Sequence, residues 1–162
     1  MKFQPVIFDV WVFRRRAADI EFLLLYTSVE KADRYFNGGR YWQIPSGIVG
    51  DAETMTDAIL SKLQGYGLQP RSIWAGEHAY VIYNRRFDAV QAISVFAAEV
   101  EADDVTLNPS EHAEWAWLTA DECLSRMHYR GLKEGLRSVC EYITTPDIPA
   151  PELCLYTDAR QI

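Results

Sequence analysis

The stretch Trp42–Gln69, WQIPSGIVGDAETMTDAILSKLQGYGLQ, decides how the chain reads. Trp42 and Ile44 make a short strand that the Pro45-Ser46-Gly47 break ends, and a Gly-bearing loop follows. Thr54 or Thr56 then caps a helix, because a hydroxyl satisfies the free N–H groups of a first turn. Met55, Ala58, Ile59 and Leu63 recur at i, i+3, i+4 and i+8, which is one apolar face. Asp57, Ser61 and Lys62 occupy the other face. Gly65 and Gly67 are expected to stop the helix by permitting left-handed backbone.

This stretch resembles the Nudix box, G-x5-E-x7-R-E-U-x-E-E-x-G-U with U an aliphatic residue, and the preceding W-x-[apolar]-P-x-G is typical of the same family. Gly47 and Glu53 fit the first half, and Gly67-Leu68 resembles the closing G-U. The R-E pair falls on Ser61 and Lys62, and only Gln64, Gly65 and Tyr66 stand between Leu63 and Gly67. One residue is missing, and no carboxylate enters the remaining slots wherever the gap is placed. The segment Glu111-His112-Ala113-Glu114-Trp115-Ala116-Trp117-Leu118-Thr119 is similar to the E-H-x-x-[aromatic]-x-W-L segment of Nudix enzymes. The resemblance spans Pro5 to Ile143, and in style it is nearest the pyrophosphohydrolases of dATP and dihydroneopterin triphosphate.

The resemblance implies an α/β (α+β) fold, the Nudix α/β/α sandwich with a mixed β-sheet, and a ligand that is a nucleoside di- or triphosphate or a related diphosphate. It also implies Mg²⁺ or Mn²⁺, held in the family by glutamates one helical turn apart. Hard cations need oxygen ligands and phosphoryl chemistry uses their charge. Lys62 instead puts an ammonium where such a carboxylate belongs, which repels a cation and attracts phosphate. Hydrolysis is therefore expected to be impaired. A non-catalytic nucleotide-binding or regulatory protein is one alternative. An interaction domain without ligand, using the apolar segment Leu153–Tyr156 as its contact strand, is the other.

Carried over residue by residue, the resemblance makes Glu53 an organiser of the loop and Glu111 a metal ligand or base. Glu53, Asp57 and Glu111 are the candidate metal ligands. Arg40, Lys62, Tyr41 and His112 are candidates for contact with substrate, Arg40 because its planar fork suits phosphate. Trp42, Tyr35, Phe36, Tyr41 and Tyr80 are candidates for stacking on a base, although aromatics on strands more often pack a core.

The chain is 162 residues long, which suits one domain, and 49% of its residues are hydrophobic, which excludes a disordered chain. We expect a domain over residues 1–145 and a Pro-rich tail over 146–162. A net charge of -7 argues against a partner read through a nucleic-acid backbone. No apolar run is long enough to span a bilayer. In MKFQPVIFDVWVFRRR the basic run follows the apolar segment and Asp9 interrupts it, unlike a secretory signal. Cys123, Cys140 and Cys154 lack metal-ligand spacing and read as buried thiols in a reducing, cytoplasmic setting. A homodimer is left open.

Along the rest of the chain, strands are expected at Pro5–Phe13, Glu21–Tyr26, Ser72–Trp74, Ala79–Tyr83, Ala92–Val100 and Glu114–Leu118. Ser28–Arg40 reads as a long polar connection ending in the turn Asn37-Gly38-Gly39. Thr119-Ala120-Asp121-Glu122 matches a capping box and opens a helix, and Tyr129–Ile143 is a second helical pattern.

Overall fold

A computed structural model describes residues 1–159. The run from Phe8 to Phe13 alternates its side chains between two covered faces, so it is apolar almost throughout and forms the middle of the sheet. This strand, β1 (Lys2–Arg15), is followed by β2 (Ile20–Thr27), helix α1 (Val29–Tyr35), β3 (Trp42–Gln43) and β4 (Ser46–Ile48). Then come α2 (Met55–Gln64), β5 (Pro70–Asn84), β6 (Ala89–Val100) and β7 (His112–Thr119). Helices α3 (Ala120–Arg126) and α4 (Arg130–Val139), a π-helical turn (Cys140–Thr144) and β8 (Cys154–Thr157) complete it.

The sheet runs β3-β2-β1-β6-β5-β8, with β4 added to β1 and β7 to β2. Pair β1–β6 is parallel and the other pairs are antiparallel, so the sheet is mixed, as expected. On one face Phe8, Val10, Val12, Leu23 and Leu25 pack against Ile59 and Leu63 of α2. On the other, Trp11, Phe13, Phe22 and Leu24 pack against Cys123 of α3 and Leu136 and Val139 of α4. Each such fully buried large side chain contributes about 1.5–3 kcal/mol, which makes the two layers the main stabilisers of the fold. Among the described residues no helix is long and apolar enough to cross a membrane.

The caps are those the side chains dictate. Thr54 is the N-cap of α2, its hydroxyl accepting from Asp57 N at 3.1 Å. Thr119 and Glu122 make the expected capping box on α3.

Three expectations are corrected. The connection Ser28–Arg40 contains helix α1, capped by Ser28 Oγ accepting from Lys31 N at 3.0 Å and closed by Asn37 at φ 57° and Gly38 at φ 86°. Its single buried residue, Ala32, leaves no apolar period to read. Ser72–Trp74 and Ala79–Tyr83 are one strand, bent by an irregularity between Ala75 and Ala79 where Glu77 adopts φ 54°. Gly65 is right-handed at φ -61°, so the left-handed turn at the end of α2 belongs to Gly67 alone, at φ 72°. The segment Leu153–Tyr156, expected as a contact strand, contributes to β8 at the end of the sheet, where Cys154–Thr157 pairs with Ser72–Trp74 of β5. The tail's last three residues, 160–162, lie outside the described residues.

Candidate functional site

Phe8 and Gly47 meet across the β1–β4 pair, and a Cβ on Gly47 would lie 2.7 Å from the Phe8 ring. That close approach lets β4 run into the loop before α2. The Glu53 carboxylate closes the loop by accepting from Gly50 N at 3.0 Å. From the far end of α2, Lys62 and Tyr66 project towards the segment between β6 and β7. That segment is tied down at both ends: Thr106 N donates to Tyr66 O at 2.9 Å, and Ser28 N donates to Glu111 O at 2.9 Å. Ser28 Oγ also donates to Ser110 O at 2.7 Å. The N-cap of α1 thus holds the Glu111 loop against the box helix.

A cleft of about 440 Å³ results, with Glu53, Lys62, Tyr66 and Glu111 among its lining side chains. A smaller recess of about 70 Å³ lies beside it, sharing Lys62, Tyr66 and Glu111 and adding Lys31, Gln43 and His112. Burial pushes the Lys31 ammonium below its usual range, opposed by the Glu111 carboxylate and reinforced by Lys62. His112 is pushed down to about 3, first by burial and then by Lys31 and Lys62, so its ring is neutral near pH 7. The Tyr66 hydroxyl is pushed up by burial and by Glu111. The ring nitrogens of His112 and Oε1 of Gln43 are buried with no hydrogen-bond partner among the described residues. Such groups are costly unless something meets them. The recess is therefore a polar cup with two amines, one carboxylate and unmatched hydrogen-bonding atoms.

Of the sequence candidates, the structure brings together Glu53, Lys62, Glu111 and His112. It does not bring in Asp57, which is exposed and accepts a hydrogen bond from Thr54 Oγ1 at 2.8 Å. Arg40 is also elsewhere: its Nε donates to Thr27 O at 2.9 Å and its guanidinium lies over the Tyr26 ring. Tyr41 packs among Phe36, His128 and Tyr129, with ring centres 5.1 Å from His128 and 5.2 Å from Tyr129. Tyr80 hydrogen-bonds Asp9, and Trp42 packs on Tyr26. Lys31 was missed. Its signal was Ser28 three residues before it, an N-cap that would have put a lysine in the first turn of a helix.

The donor set does not fit a hard divalent cation. Among the described residues no group of three or more His, Cys, Asp and Glu side chains converges to hold a metal ion. In the recess beside the cleft, Lys31 and Lys62 line the wall with Glu111 where oxygen ligands would be needed. Cys123, Cys140 and Cys154 are free thiols, and only Cys123 is fully buried.

No family model and no curated protein matches the sequence. Solved structures do. A Nudix hydrolase of Listeria monocytogenes superposes with a TM-score of 0.72 at 20% identity, over 91% of this chain and 99% of that one. The Ap4A hydrolase of C. elegans, in a binary complex, gives 0.68 at 19%, over 90% and 100%. The NUDIX domain of Shewanella oneidensis NrtR, in complex with ADP ribose, gives 0.66 at 16%, over 87% and 89%. The fold of this chain is that of the Nudix superfamily.

Proposed function

We propose that this chain binds a nucleoside di- or triphosphate, or a diphosphate linking a nucleoside to another group, with lysine ammoniums in place of a divalent cation. The observation that carries the reading is the convergence of Lys62 and Lys31 on Glu111 within one polar recess of the cleft. Two ammoniums against one carboxylate leave a local positive balance inside a chain of net charge -7. An anion is the complementary partner. ADP ribose and Ap4A, the compounds named with two of the similar structures, are the first compounds to try. Binding without turnover follows from the same residues, since an ammonium holds phosphate but supplies no metal-bound nucleophile. The dATP and dihydroneopterin triphosphate type remains a narrower choice within this class. On this reading Glu53 shapes the loop and Glu111 orients the amines.

Calorimetry in EDTA tests it, with ADP, ADP ribose and Ap4A titrated into the wild-type chain and into Lys62→Ala. Binding that survives EDTA and weakens at least about tenfold in the variant, or 1.4 kcal/mol, supports the reading. Binding that appears only with Mg²⁺ or Mn²⁺, or magnesium-dependent release of phosphate by pure protein, overturns it in favour of a hydrolase.

A further inference from the structure

The second half of β5, Ala79–Asn84, has β6 along one side and, among the described residues, no strand along the other. On that outer side β8 reaches only Ser72–Trp74, and no strand among the described residues pairs beyond it. Val81, Ile82 and Tyr83 are 63%, 41% and 58% exposed. An edge of this kind is a template for another strand, and proteins that stay apart blunt it with Lys, Pro or a charge. The segment AYVIYN carries none of these.

The charges lie at its two ends instead. Glu77 precedes the segment and Arg85 follows it, and neither side chain has an ion-pair partner within the chain among the described residues. Opposite signs at opposite ends are what antiparallel pairing of a strand with itself requires. A two-fold axis normal to the sheet keeps facing side chains on one face, so partner numbers sum to an even value. An axis through Val81 sets Val81 against Val81 and Ala79 against Tyr83, and it brings Glu77 in the bend of each copy to the same end as Arg85 in the turn of the other, within reach of their long side chains.

We propose that a second copy of this chain docks edge to edge on Ala79–Asn84, continuing the sheet across a two-fold axis at Val81 and closing two Glu77–Arg85 ion pairs. An unrelated strand would need to match both the apolar segment and the order of the flanking charges, whereas a second copy matches them by symmetry.

Sedimentation equilibrium of the full chain from micromolar to several hundred micromolar tests the proposal. The wild type is expected to approach twice 18.6 kDa within that range. Val81→Lys is expected to stay monomeric while keeping the wild-type circular dichroism and thermal midpoint. Glu77→Arg and Arg85→Glu should each weaken the dimer about tenfold, as two exposed ion pairs turned into like-charge contacts would do. The double variant should recover it. A wild type that is monomeric throughout, or a Val81→Lys protein that dimerises as well as wild type, overturns the edge as the interface. Single reversals without effect, or a double variant that does not recover, overturn the pairing about Val81.

Discussion

Ser46 Oγ donates a hydrogen bond to Asp9 Oδ1 at 2.7 Å, joining β4 to β1 beneath the candidate cleft, and Tyr80 closes on the other carboxylate oxygen. Asp9 is 5% exposed. Burial raises its pKa above the ordinary 3.8, and the two hydroxyl donors pull less strongly the other way. The folded state therefore holds the proton more tightly than the unfolded chain, so folding stability falls as pH rises above about 4. Asp9→Asn keeps an acceptor for Ser46 without a charge to bury. Urea unfolding from pH 4 to 8 should show wild type losing stability relative to Asp9→Asn as pH rises. A constant difference across that range would mean the Asp9 carboxyl is not shifted upward.

Gly131 sits against the face of the same tyrosine. A Cβ there would lie 2.2 Å from Tyr80 Cε2, and the Tyr80 ring is tied to Asp9 and cannot swing away freely. Helix propensity favours Ala over Gly by up to about 1 kcal/mol, but overpacking costs about 1–3 kcal/mol and should win at this position. Gly135→Ala is the milder comparison, because its tightest contact would be 3.3 Å to Val95 Cγ2, which a shift of a few tenths of an ångström relieves, against 2.2 Å at Gly131. Urea midpoints should place Gly131→Ala clearly below both wild type and Gly135→Ala. Equal midpoints for the two variants would show that Tyr80 yields.

Thr119 closes the capping box that opens α3, its Oγ1 accepting from Glu122 N while Glu122 Oε1 accepts from Thr119 N at 3.2 Å. Thr119→Ala removes the first of these and should lower stability by about 1 kcal/mol, read as a shift in urea midpoint at unchanged slope. A shift no larger than that of an exposed substitution elsewhere, such as Glu134→Ala, would show that the box contributes nothing here.

That capping box, the β1 run and the apolar face of α2 were all legible because each is written in residues close together in sequence. The parts that escaped reading depend on contacts between distant residues. Helix α1 has a visible cap in Ser28 but no apolar stripe, since only Ala32 is buried. Lys31 reaches Glu111 because Ser28 grips Ser110, 82 residues away. Arg40 looked poised for phosphate, yet the backbone oxygen of Thr27 claims its guanidinium. Strand β8 follows a Pro-rich run and exists because β5 leaves Ser72–Trp74 unpaired on its outer side.

His112 offers a direct reading of the charge inside the recess. Its ring is 3% exposed, and its pKa drops from 6.5 to about 3 through burial, Lys31 and Lys62. The unfolded chain binds this proton between those two values and the folded chain does not. The resulting stability is fully present above pH 6.5 and is lost as pH falls towards 3, at up to about 1.4 kcal/mol per pH unit. Imidazole nitrogen shifts should show His112 neutral from pH 8 down to the onset of unfolding. His112→Gln should flatten the acid limb of the urea stability curve relative to wild type. Replacing Lys31 with Met removes the larger of the two repelling charges, so the His112 midpoint should rise. A His112 midpoint near 6.5 in wild type, or one that ignores Lys31→Met, would mean the two ammoniums do not act on the recess, and the anion site built on them would lose its electrostatic basis.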